Sequence, residues 1–120
     1  MAEIQDRKPY DLEERTFGFA KDVLRLIRAL PTTLANQEIA KQVIRSSGSV
    51  GANYIEANEA VSKKDFAFRI KICRKEAKES RYWLRLLDVR GEEPETMRQS
   101  LVAEATELLM IFSSIVEKAV

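Results

Sequence analysis

Apolar positions recur every three or four residues along most of the chain, and no stretch alternates as a strand would. The pattern predicts four helices, at about residues 11–30, 34–59, 63–89 and 94–119, after a polar lead-in over residues 1–10. In helix one the predicted core stripe is Phe17, Ala20, Leu24 and Ile27, with Phe19, Val23, Leu26 and Leu30 alongside. In helix two it is Ala40, Val43, Ser47, Val50, Tyr54, Ala57 and Val61. In helix three it is Phe66, Ile70, Cys73, Ala77, Ser80, Leu84 and Leu87, with Phe68, Ile72, Tyr82, Trp83 and Leu86 as flanking apolar surface. Helix four carries Met97, Leu101, Ala105, Leu108, Phe112, Ile115 and Ala119, with Leu109, Ile111 and Val116 beside them.

The breaks agree with this division. Pro31 disfavours helix at Leu30. Ser62 and Asp65 form a partial capping box for helix three. Gly91 is the expected C-terminal cap of helix three, and Pro94 suits the first turn of helix four. Amphipathic helices with short connections predict an all-α, antiparallel up-down-up-down four-helix bundle. Spacing near three and a half residues predicts left-handed, coiled-coil-like packing. Several helices carry apolar residues in more than one stripe, which predicts burial between subunits as well.

The segment Arg45–Ala57, "RSSGSVGANYIEA", stands out because small residues cluster there without interrupting the helical period. A second stripe, Ile44, Gly48, Gly51 and Ile55, runs beside the first. Glycine inside a helix costs about 1 kcal/mol relative to alanine. Close approach of a neighbouring helix is the compensation expected at Gly48 and Gly51. Gly48-Ser49-Val50-Gly51 also matches the GXXG of RNA-binding KH loops, but that fold needs a sheet beside the loop, and none is readable here.

Composition narrows the chemistry. The 120 residues suit one domain and carry a formal net charge of +1. There is no histidine, so the commonest general base and metal ligand is missing, and the Glu-x-x-His pairs of a di-iron bundle cannot form. No P-loop pattern occurs. The single Cys73 lies in a core stripe, where cysteine behaves as a small hydrophobe and fits a reducing cytoplasm. No secretory leader is readable, and no apolar run approaches the ~18 residues of a membrane span. The expectation is a soluble, cytoplasmic, non-enzymatic protein with no cofactor or metal and no membrane association.

Charge is distributed unevenly. Residues 62–91 hold ten basic and four acidic side chains, whereas residues 92–120 hold two basic and six acidic ones. On helix three, Lys71, Arg74, Lys78, Arg81 and Arg85 follow alternating spacings of three and four, and Lys75 widens the row. Such a stripe can track a phosphate backbone, gaining affinity by counterion release. In the alternative, Glu104, Glu107 or Glu117 on helix four, or acids on a neighbouring subunit, neutralise it and the bundle serves as a protein-interaction scaffold.

The blocks "DLEERTFGFAKDV" (11–23), "IRSSGSVGANYIEANEAVSKKDF" (44–66) and "KEAKESRYWLRLL" (75–87) resemble the four-helix bundle proteins related to the intervening-sequence proteins of bacterial 23S ribosomal RNA genes. The most specific part is Ser49, Gly51, Ala52, Asn53, Tyr54, Glu56 and Ala57; the family usually has Arg where this chain has Ile55. The resemblance implies a ring-like homopentamer of antiparallel bundles. It also implies kinship with a branch that accompanies the reverse transcriptases of diversity-generating retroelements and binds nucleic acid. By the same resemblance, Ser47, Gly48, Gly51, Ala52, Asn53, Tyr54 and Glu56 serve helix packing or a subunit interface. The partners expected are further copies of the chain, RNA or DNA, and a reverse transcriptase or other protein.

Overall fold

The computed structural model describes residues 11–119; the predicted lead-in at residues 1–10 lies outside them. The described chain holds four helices and no strand: α1 Leu12–Arg28, α2 Leu34–Asn58, α3 Lys63–Leu86 and α4 Glu92–Ala119. Consecutive helices pack on one another and α1 closes against α4, so the four surround one core. Along α2 and α3 the paired residues ascend on one helix and descend on the other, from Asn36 with Asp88, through Ser46 with Ser80, to Asn53 with Arg69.

Helix ends follow local chemistry. Thr33 and Ser62 are extended N-caps whose hydroxyls accept the Asn36 and Asp65 amides at 3.1 and 3.0 Å. Gly91 has a φ of +100°, a left-handed value that favours glycine. It precedes Glu92, and its carbonyl accepts the Glu95 amide at 3.2 Å. Gly91 therefore heads α4, and does not cap α3 as expected. The end of α3 is held by Arg98, which donates to the carbonyls of Leu84 and Leu87 at 3.2 and 3.0 Å. Pro94 falls inside the first turn of α4, where its missing N–H costs little.

The core is built from Val23 and Leu26 on α1, Val43 and Val50 on α2, Ile70, Cys73, Ala77 and Leu84 on α3, and Ala105, Leu108 and Phe112 on α4. Each fully buried large aliphatic or aromatic side chain contributes about 1.5–3 kcal/mol. The stripes expected on α3 and α4 point inward with few changes, although Val116 is buried where Ile115 was expected to be. On α1 the expected stripe is corrected. Phe17 and Leu24 are exposed, and the buried row is Leu12, Thr16, Phe19, Val23 and Leu26. Thr16 can sit in that row because its hydroxyl donates to the Leu12 carbonyl at 2.7 Å. Val61 is also corrected: α2 ends at Asn58, and Val61 is exposed in the connection to α3.

Asn36 joins the two connections at one end of the molecule. Its amide donates to the carbonyls of Pro31 and Asp88 and accepts the Asp88 amide, all within 3.1 Å. It is buried, and leaving those backbone groups unpaired would cost about 1–3 kcal/mol.

Among the described helices, α4 is long and apolar enough to cross a membrane, with a mean hydropathy of 1.3 over its best window. Glu104 and Glu107 fall within that window, and the uncharged run that follows them, residues 108–116, is far shorter than a span. In the fold, α4 supplies Leu101, Ala105, Leu108, Phe112 and Val116 to the shared core, and both glutamates bind Arg15 on α1.

Candidate functional site

The outer face of α3 carries the basic residues picked out by the sequence. Lys71, Lys75, Lys78 and Arg85 are exposed; Arg74 and Arg81 are half-buried. Positions 71, 78 and 85 form one row of seven-residue spacing, and Arg74 and Arg81 form the neighbouring row toward α4. Arg81 reaches α4 and donates to the Thr106 hydroxyl at 3.2 Å. Lys75 stands 4.0 Å from Glu76, at the outer limit of an ion pair.

Of the three α4 acids that could neutralise this face, Glu104 and Glu107 are engaged by α1, while Glu117 is exposed and in no ion pair among the described residues. Arg15 on α1 donates to both oxygens of Glu104, at 2.7 and 2.9 Å, and also to Glu107. The hydrogen bond to Glu104 raises the Arg15 pKa above the usual guanidinium value; burial opposes the rise, and Glu107 adds to it. The two mid-helix acids of α3 are taken by α2: Arg45 pairs with Glu76 at 3.3 Å and with Glu79. Among the described residues, Lys71, Arg74, Lys78 and Arg85 then have no acid within ion-pair distance. Sequence spacing found the basic row, but not the two arginines that occupy Glu104 and Glu107 on α4 and Glu76 and Glu79 on α3.

The small-residue segment of α2 divides by face. Gly51 faces α1, and a β-carbon there would stand 2.9 Å from the Thr16 hydroxyl oxygen. Gly48 faces open space, with no atom within 4 Å of such a carbon. The close approach expected at both glycines is therefore made within the chain only at Gly51. Ser47 is buried, and Tyr54 is buried with its ring 6.0 Å from that of Phe112. Burial raises the Tyr54 pKa. Asn53 donates to Ser49 and accepts from Arg69, joining α2 to α3. Ala52 and Glu56 are exposed. Four exposed apolar side chains also lie on these two packed helices, Phe17 and Leu24 on α1 and Ile44 and Ile55 on α2, the last two in the same stripe as Gly48.

Among the described residues, no group of three acids and cysteine could hold a metal ion. Cys73 is fully buried, and burial pushes its thiol up to about 12, far from the thiolate a nucleophile needs.

Comparison with known proteins places these features in context. The family described as 23S rRNA-intervening sequence protein matches residues 9–114. The chain is similar to a solved protein of unknown function from the S23 ribosomal protein family of Bacteroides thetaiotaomicron. The two share 32% identity and a TM-score of 0.71, over 87% of this chain and 96% of the other. No curated protein matches.

Proposed function

Because the chain belongs to the 23S rRNA-intervening sequence protein family, we propose that it is a non-catalytic, oligomeric helical-bundle protein that binds the phosphate backbone of RNA or DNA through α3. The observation that carries this reading is the row Lys71, Lys78 and Arg85, exposed and without an acid partner among the described residues. Cations placed this way neutralise phosphates without reading bases. Arg74, Lys75 and Arg81 widen the surface. Ascending and descending residue pairs across α2 and α3 support an up-down-up-down order.

The reading includes self-association in the cytoplasm, with a homopentamer as the favoured assembly. Phe17, Leu24, Ile44 and Ile55 would lose their exposure there, with Gly48 allowing a second copy to come close. A ring of copies would repeat the basic face around its circumference. The same apolar residues favour a second reading, in which the bundle is a scaffold that docks a partner protein such as a reverse transcriptase, without binding nucleic acid.

Reversing charge at Lys71, Arg74 and Lys78 separates the readings. The first expects loss of RNA and DNA binding with helix content and assembly mass unchanged. Undiminished affinity in that folded variant would remove α3 as the binding surface.

A further inference from the structure

Beside the basic row on α3 runs a second row of seven-residue spacing, Phe68, Lys75 and Tyr82. Phe68 and Tyr82 are 57% and 56% exposed, so both ring faces are within reach of a ligand. Both are braced. The Trp83 ring meets Tyr82 edge-on, with centroids 5.0 Å apart and planes at 76°. Trp83 is itself fixed, its indole N–H donating to Glu79 at 2.9 Å. Glu79 is held in turn by Arg45. At the other end the Arg69 guanidinium lies 5.8 Å from the Phe68 centroid and is anchored on the Asn53 side-chain oxygen at 3.1 Å.

We infer that this face takes an unpaired nucleic-acid strand, its phosphates along Lys71, Lys78 and Arg85 and its bases stacked on Tyr82 and Phe68. The inference rests on the nucleic-acid reading above and narrows it. A duplex keeps its bases stacked on each other, so it can use the cations and not the rings. A single strand can use both, and each base stacked on an aromatic ring adds affinity with little sequence preference. The two rings are about 21 Å apart along the helix, at 1.5 Å per residue. A strand that engages both must therefore span several nucleotides, with Lys75 beneath its middle. The α1–α2 face assigned to self-association leaves this one open.

The test measures the affinity of the full chain for a short fluorescein-labelled oligouridylate and for the same strand paired with oligoadenylate. Oligothymidylate, as a further arm, shows whether the sugar matters. Wild type should prefer the single strand, and base stacking should quench the fluorescence of Trp83, the chain's single tryptophan. Tyr82→Leu and Phe68→Leu keep apolar bulk but remove the flat face. Each should weaken single-strand binding about tenfold and leave duplex binding within about twofold, whereas Tyr82→Phe should retain single-strand affinity. If both leucine variants bind the single strand as wild type does, while charge reversal at Lys71 and Lys78 abolishes binding, the stacking inference fails and the phosphate reading stands. If wild type binds neither probe, both fail.

Discussion

Gly51 on α2 faces Thr16 on α1 so closely that a methyl group in place of its hydrogen would stand 2.9 Å from the threonine hydroxyl oxygen and 3.3 Å from its β-carbon. Thr16 cannot easily yield, because its hydroxyl is bound to the Leu12 carbonyl and its side chain is buried. Gly48, one turn away on the same helix, meets nothing. The two glycines should therefore respond in opposite directions. Gly51→Ala should lose about 1 kcal/mol despite the better helix propensity of alanine, and Gly51→Leu should lose about 3 kcal/mol. Gly48→Ala should gain up to about 1 kcal/mol within one chain, read on the Ile44→Glu, Ile55→Glu background in which no second copy packs against it. Urea denaturation of the three variants checks the contrast.

Ser46 and Ser80 share a buried hydrogen bond of 2.8 Å between α2 and α3. Ser46→Ala strands the Ser80 hydroxyl in the interface, at a cost of about 1–3 kcal/mol, whereas Ser80→Ala leaves Ser46 its longer bond to the Val43 carbonyl at 3.5 Å and should cost less. Replacing both removes the unsatisfied group, so the double variant should be more stable than Ser46→Ala. The sign of the coupling in a double-mutant cycle decides this.

Half-buried Arg15 holds half-buried Glu104 and the exposed Glu107. Arg15→Met should cost about 1–3 kcal/mol, because Glu104 is left without its partner. Arg15→Met with Glu104→Gln should recover part of the loss. If α4's freed glutamates swing toward α3, the single variant should also bind nucleic acid more weakly. Melting temperature and binding affinity of the same samples give both readouts.

Alkaline pH should destabilise the fold. Burial pushes the Cys73 thiol up to about 12 and raises the Tyr54 phenol. Both groups are favoured in their neutral form by folding, so their contribution is complete below the ordinary thiol range of about 8.5. It is lost as pH rises through the folded values. Melting temperature should fall from about pH 9 upward, and Cys73→Ala should flatten that fall.

The helical period made the core rows of α3 and α4 legible, because their apolar residues form one dominant stripe. On α1 it misled. Phe17 is bulky enough to attract a stripe, and Thr16 does not register as apolar until its hydroxyl is seen bonded to Leu12. Gly91 is legible in the sequence as a helix boundary, but the helix it serves is not, since a positive φ can precede a helix as well as follow one. The basic row could be read from spacing alone. Its freedom from acids could not, because that depends on Arg15 facing α4 and Arg45 facing α3. The bracing of Tyr82 by Trp83 and of Phe68 by Arg69 is likewise a product of side-chain placement.

Self-association tests the exposed apolar face independently of any ligand. Ile44→Glu with Ile55→Glu should leave helix content intact, since neither side chain belongs to the core, and should reduce the assembled mass to that of one chain. Sedimentation or light scattering reads the result. An unchanged mass would move the interface to another face.

The central claim is that α3 binds phosphates. The most direct measurement is fluorescence anisotropy of a structured ribosomal RNA fragment and a matched DNA duplex with the intact protein, at low and moderate salt. Binding by the α3 row predicts an affinity that falls steeply as salt rises, with log-affinity linear in log-salt and a slope reduced by charge reversal at Lys71 and Lys78. No binding of either probe at low salt, with the assembly intact, would contradict the claim and leave the scaffold reading in its place.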